Sequence, residues 1–132
     1  MPLVLLSLVS FPSWGLSMDD LVQREGLYYE KFTDVPFTGE IDEGLERGAF
    51  KNGKKEGAWV AYHKNGGIFW KGEFKNGTRE GQWVTFWENG QLKSKGEFMN
   101  GLRMGQWVSF KDDDSKDKFY SGLYLNDKKV SH

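Results

Sequence analysis

Residues 48–71 read GAFKNGKKEGAWVAYHKNGGIFWK, residues 72–95 read GEFKNGTREGQWVTFWENGQLKSK, and residues 96–121 read GEFMNGLRMGQWVSFKDDDSKDKFYS. The third segment carries two extra residues near its end, and residues 122–132 begin a partial fourth copy. The three full copies share the pattern G-x-F-x-N-G-x-x-x-G-x-W-V-x-[YF], which we call the repeat frame. A fixed period of this length indicates a repeat architecture.

Each copy of the repeat frame predicts two strands and two turns. Aromatic and β-branched residues after each Gly-x-Trp favour a strand, and Asn-Gly pairs interrupt the pattern on both sides. We expect tight type I′ hairpins at residues 65–66 and 89–90, because Asn-Gly accepts positive φ, and a longer loop at the other Asn-Gly pairs. The fold class predicted is therefore all-β, a single-domain, elongated array of antiparallel β-hairpins.

A two-residue hairpin loop also predicts which residues lie opposite each other. An indole that faces a glycine can cover the bare backbone, which compensates for the missing side chain. Across the longer loop, we expect Phe74 near Trp83 and Trp70 near Trp87. The predicted cross-strand pairs are Trp59–Gly72, Ala61–Trp70, Tyr62–Phe69 and Trp83–Gly96.

Alternation along the strands predicts one packed face and one half-solvated face. Lysines, glutamates and smaller apolar residues alternate on the second face, including Val60, Tyr62, Val84 and Phe86. The packed face is predicted to carry Trp59, Trp70, Gly72, Phe74, Trp83, Trp87, Gly96, Phe98 and Trp107.

Recurrence separates structural residues from candidate binding residues. Three aromatics do not recur in the other copies, namely Phe69, Trp70 and Trp87. They are candidates for a patch that binds a peptide or a sugar ring, and the alternative is that they reinforce packing. The residues predicted to be structural are Trp59, Trp83, Trp107, Phe50, Phe74, Phe98, Gly72 and Gly96.

The composition excludes several classes of protein. Seventeen glycines are about twice the usual ~7% share, which a helix bundle would not carry. The absence of cysteine excludes a disulfide-stapled module, and 16% aromatic residues argue against a disordered chain. The net charge of −1, with both signs interspersed, argues against a nucleic-acid partner.

The first 17 residues have the character of a secretory signal. They are uncharged, with an apolar run over residues 3–9 and small residues at Ser13 and Gly15 before a possible cleavage site. The run is too short to span a membrane, and no Lys or Arg precedes it. We expect export to the periplasm, the cell surface or the medium; the alternative is a buried or disordered N-terminal segment. Residues 18–47 are expected to form a degenerate capping unit.

The repeat frame resembles the MORN repeat, in its bacterial type-2 variant. The resemblance covers residues 48–128 clearly and residues 26–47 weakly. It implies a twisted antiparallel hairpin array, no inherent catalytic residues, and a role in protein interaction or membrane-proximal scaffolding. Many bacterial members of the family are described as antitoxin components.

The sequence offers few groups for catalysis, metal binding or a cofactor. Histidine occurs only at His63 and His132, and His63 lies where the other copies have Trp87 and Lys111. No phosphate-binding glycine motif is present. The acidic residues near Asp113 and near Glu43 favour a solvated turn and a charged cap over a calcium site or a glycosidase pair.

We therefore expect a non-enzymatic interaction module with no catalytic residues, no metal and no cofactor. The expected partner is an unidentified protein, with an antitoxin-like inhibitor of a partner protein as one alternative. A cell-wall or glycan binder, with peptidoglycan as a possible ligand, is the other alternative.

Overall fold

The computed structural model describes residues 15–131, which form an all-β chain of antiparallel strands. The predicted elongated array of β-hairpins in one domain is confirmed. Residues 1–14 and His132 lie outside the described part, and with them most of the predicted signal segment.

Eleven strands in two sheets make up the described chain. A 3-10 turn at Met18–Asp20 leads into a two-stranded sheet, β1 (Leu21–Arg24) and β2 (Leu27–Glu30). The other nine strands form one sheet in which spatial order equals chain order. These strands are β3 (Gly39–Ile41), β4 (Glu46–Lys51), β5 (Lys54–Tyr62), β6 (Ile68–Lys75), β7 (Thr78–Phe86), β8 (Leu92–Met99), β9 (Leu102–Ser109), β10 (Gly122–Leu125) and β11 (Lys128–Ser131).

The core lies on the front face of the sheet, the side to which Trp59, Trp83 and Trp107 point. Each indole covers a glycine and donates its Nε1–H to a backbone carbonyl beside that glycine. The predicted pairing of Trp59 with Gly72 is present in the register, but the Trp59 indole lies over Gly48 on the preceding strand. The expected cover was therefore assigned to the wrong neighbour, because register does not set the side toward which an indole leans.

Aromatic rings join the repeats into one continuous stack, which we call the aromatic spine. Adjacent rings meet in tilted or edge-to-face contacts with centroids 5.1–6.4 Å apart. Such pairs contribute about 0.5–1.5 kcal/mol each beyond simple burial. The spine consists of Tyr28, Phe50, Trp59, Phe74, Trp83, Phe98, Trp107 and Tyr124.

The Asn-Gly pairs form two kinds of turn, and the tight and the longer loops lie at the reverse of the predicted positions. Asn76 and Gly77 both have positive φ, 54° and 85°, and Lys75 pairs directly with Thr78, as a two-residue type I′ loop requires. Residues 52–53 and 100–101 repeat this geometry. At residues 65–66 only the glycine has positive φ, and the loop contains one more residue. The expected type I′ turns at 65–66 and 89–90 are therefore wrong.

The extra loop residue is absorbed by a β-bulge. Ala61 pairs with Trp70 and Trp83 with Gly96 as predicted, but Tyr62 pairs with Ile68, so the predicted partner Phe69 is wrong. Because the register changes between Ala61 and Tyr62, Phe69 is left without an opposite residue. The same shift follows Thr85 in the next repeat.

Replacing Asn76 by alanine tests the revised turn assignment. Alanine at a φ of 54° should destabilise the protein by about 1 kcal/mol, because its Cβ disfavours the left-handed region. Asn76→Gly has no Cβ, so we expect it to stay close to the wild type. Urea unfolding gives both free energies. Equal losses in the two variants would contradict a type I′ turn at this position.

Candidate partner-binding surfaces

Phe69 is the bulged residue of β6 and remains 38% exposed. Its ring lies against the His63 imidazole, with centroids 4.5 Å apart. The corresponding contact one repeat later joins Trp87 to Lys93, whose ammonium lies 4.5 Å from the indole centroid. In both repeats the side chain at the bulge therefore contacts the residue directly after the preceding strand. The contact is between two rings at Phe69 and between an ammonium and a ring at Lys93.

Trp70 belongs to the packed face. Its indole stacks on Trp83 with centroids 4.9 Å apart, and it packs against both core clusters. In the register Trp70 lies opposite Thr85, and its stacking partner is Trp83, so the expected neighbour Trp87 is wrong. Trp70 thus connects the N-terminal and C-terminal halves of the core.

Trp87 connects one hairpin to the next through a hydrogen bond. Its Nε1–H donates to the Phe110 carbonyl at 3.0 Å, and in the previous repeat His63 Nε2 lies 2.9 Å from the Phe86 carbonyl. The side-chain amides of Asn65 and Asn89 donate matching hydrogen bonds to backbone carbonyls of the following hairpin. A hydrogen bond that recurs at equivalent positions gives Trp87 a structural partner as well as a half-exposed ring.

A repeated cation covers part of the front face. Lys55 lies 4.7 Å from the Trp59 centroid, Arg79 lies 4.5 Å from the Phe98 centroid, and Arg103 lies over Tyr124. Cations over aromatic rings add modest electrostatic stabilisation. The front face is thus occupied by the spine and its cations, and the opposite side of the sheet is the more open surface.

That opposite side, the back face, carries a row of residues that crosses six strands. Because neighbouring strands pair in register, basic side chains alternate with valines along the row. Basic residues two strands apart are separated by about 9.6 Å. The row runs Arg47, Val60, Lys71, Val84, Lys95 and Val108 from β4 to β9.

A shallow groove of about 610 Å³ lies on the back face, in the middle of this row. Val60, Val84 and Phe86 form its apolar part, and all three are half-buried. Lys71 and Lys95 stand beside it, and neither is in an ion pair within residues 15–131. This back-face groove combines an apolar floor with these two lysines outside ion pairs and one carboxylate, Glu73.

A second groove, of about 580 Å³, lies at the C-terminal end of the sheet. Phe119 and Tyr120 border it, and they are 75% and 55% exposed. Sequence reasoning passed over this pair. Counting backward from Gly122 would have aligned them with Phe69 and Trp70, because the two extra residues of the third repeat precede them.

Two aspartates have shifted acidities, both through local hydrogen bonds. The Arg103 guanidinium and its backbone N–H donate to Asp127 and lower the pKa of that carboxyl. The Ser115 hydroxyl and backbone N–H lower the pKa of Asp113 in the same way. Asp113 thus stabilises the turn of the acidic run from within it.

Within residues 15–131, no three His, Asp or Glu side chains converge as a set of metal ligands. In the same residues, no helix is long and apolar enough to cross a membrane. No model of a known protein family, no curated protein and no solved structure matches this chain.

Proposed function

We propose that this chain is a non-catalytic protein-interaction module of the MORN-repeat type, whose back-face groove receives a segment of a partner protein. The observation that carries the proposal is the row of alternating valines and cations around Val84. Apolar area supplies affinity, while Lys71 and Lys95 favour carboxylates and guide association. The partner segment proposed therefore has an apolar side chain next to at least one Asp or Glu.

In this proposal the front face of the sheet stabilises the fold and the back face binds the partner. The aromatic spine holds the front face in one arrangement, so the back face is presented on a preorganised support. A surface that does not have to be ordered on binding loses less free energy in forming a complex. A scaffold of this kind needs no titratable pair and no cofactor.

Val84→Glu is the test variant for the back-face groove. The new carboxylate would face Lys71 and Lys95 on the two neighbouring strands, so the variant has local partners and should fold. It places a negative charge where the partner's carboxylate is expected. We expect capture of the partner from native extract by the immobilised protein to fall at least about tenfold, because like charges then meet.

Thr78→Glu is the matched control, since it adds the same charge on the same strand at an exposed position opposite Lys75. It should capture the partner as well as the wild type does. Equal capture by both variants, or no saturable capture by the wild type, would overturn the proposal. Unfolding curves of the two variants check that both are folded.

A glycan site at Phe69 is the second candidate, favoured by an exposed ring that lies against the His63 imidazole. A sugar that stacks on Phe69 should shift the emission of Trp70, the next residue in the chain, when peptidoglycan fragments are titrated. We also propose that residues 1–17 are a signal segment that directs export of the protein. A processed chain that starts near Leu16 in the periplasm would support export and exclude a cytoplasmic antitoxin.

A further inference from the structure

The third repeat departs from the others between β9 and β10. Residues 110–121 contain an isolated bridge from Phe110 to Lys116 where earlier repeats have a full strand. The departure brings Phe119 and Tyr120 to the surface, with their rings 4.8 Å apart. Adjacent exposed aromatics have no role in the repeat frame, and they line the C-terminal groove.

The walls of this groove are held in place by hydrogen bonds. The Lys129 ammonium donates to the Lys118 and Phe119 carbonyls at 2.9 and 2.8 Å, which attaches the irregular segment to β11. From the other side, the Tyr124 hydroxyl donates to the Tyr120 carbonyl at 2.8 Å. The groove is therefore preformed, which lowers the entropic cost of binding.

The charges around the groove are mainly positive. Arg103, Lys118 and Lys129 line it together with one carboxylate, Asp127. Asp127 is engaged by Arg103, whose Nε lies 2.7 Å from its Oδ1. Neither lysine is in an ion pair within residues 15–131. The surplus positive charge favours an anionic ligand.

The groove also adjoins the last strand of the sheet. β11 has β10 on one side and no strand on the other among the described residues. A free edge can accept an extended peptide through backbone hydrogen bonds. Lysines on an edge usually discourage such pairing, but here Val130 is exposed beside them and lines the same groove.

We infer that the C-terminal groove binds an extended acidic peptide, which adds as a strand to β11 and inserts an apolar side chain beside Phe119 and Tyr120. A nucleic acid would also use aromatics and cations, but such sites follow the backbone along a basic groove over several nucleotides. Among the described residues this groove has two lysines outside ion pairs, and the ammonium of Lys129 is already bound to two backbone carbonyls. The inference concerns a different surface from the back-face groove and does not depend on it.

The test uses a fluorescein-labelled octapeptide of six glutamates around a central Tyr-Val pair, titrated with the purified chain by fluorescence anisotropy. It should bind at least about tenfold more tightly than the same peptide with lysines in place of glutamates, and more weakly at high salt. Methylating alternate backbone nitrogens of the peptide should abolish binding, because those positions can no longer donate to β11. Phe119→Ser and Lys118→Gln should each weaken binding at least about tenfold.

Phe32→Ser is the matched control, because Phe32 is fully exposed and belongs to the N-terminal unit. It should bind the acidic peptide like the wild type. The inference is overturned if the acidic peptide does not bind, if the acidic and basic peptides bind equally, or if Phe119→Ser matches the control. Unchanged binding of the methylated peptide would exclude strand addition. Tighter binding of polyuridylate than of the acidic peptide would assign the groove to nucleic acid.

Discussion

Gly72→Ala should destabilise the protein by about 3 kcal/mol, at the upper end of the range for overpacking a core. A methyl group built on Gly72 would overlap the Trp83 indole, which lies directly on the glycine backbone. Trp83 has little room to move, since Phe74 and Phe98 hold it at 5.3 and 5.7 Å. Urea or thermal unfolding measures the loss.

Gly67→Ala is the control for this prediction. Like Gly72, Gly67 lies outside the left-handed region, and a methyl group there would meet only the Asn65 side-chain oxygen at 3.3 Å. We expect a change below about 1 kcal/mol, which is typical of surface positions. If both substitutions cost the same, the close indole–glycine contact is not a determinant of stability.

Trp83→Ala should destabilise the protein by about 4 kcal/mol, within the range for removing a buried aromatic side chain. Trp83 is 5% exposed, contacts Trp70, Phe74 and Phe98, and donates its indole N–H to the Glu73 carbonyl at 3.1 Å. Its removal would interrupt the aromatic spine in the middle of the sheet. Because native stability is about 5–15 kcal/mol, a large share of the variant should be unfolded at moderate temperature.

Trp87→Ala provides the comparison. Trp87 is half-buried, and its loss removes one hydrogen bond to the Phe110 carbonyl and a contact with Lys93. We expect a loss of about 1–2 kcal/mol, the usual range for a hydrogen bond and partial packing. Equal losses for Trp83→Ala and Trp87→Ala would contradict the distinction between residues of the spine and residues outside it.

The hairpins show which features of the fold can be predicted from the sequence. Sequence reasoning predicted the pairs Trp59–Gly72 and Trp83–Gly96 from an assumed two-residue loop in each hairpin, and both pairs are present. It assigned the turn types the wrong way round, since Asn-Gly fits both a type I′ turn and a longer loop with glycine in the left-handed region. The bulge at Phe69 then compensated for the difference.

The candidate surfaces were less accessible to prediction. Trp70 and Trp87 were singled out because they do not recur, yet one stacks inside the core and the other bonds to the next hairpin. Both contacts depend on partners 13 and 23 residues away. The residues that recur in every copy show which positions the repeat requires. They do not show what a non-recurring side chain contacts.

The sequence by itself determined the period of the repeat, the antiparallel order of its strands and the face that packs. These properties follow from local alternation and turn residues, which each copy repeats. Only the tertiary structure decided that each indole leans over the glycine of the preceding strand, and that Phe119 and Tyr120 border an open groove at β11. Those outcomes depend on how neighbouring strands twist and pack against each other. The residue pattern along one strand does not specify this packing.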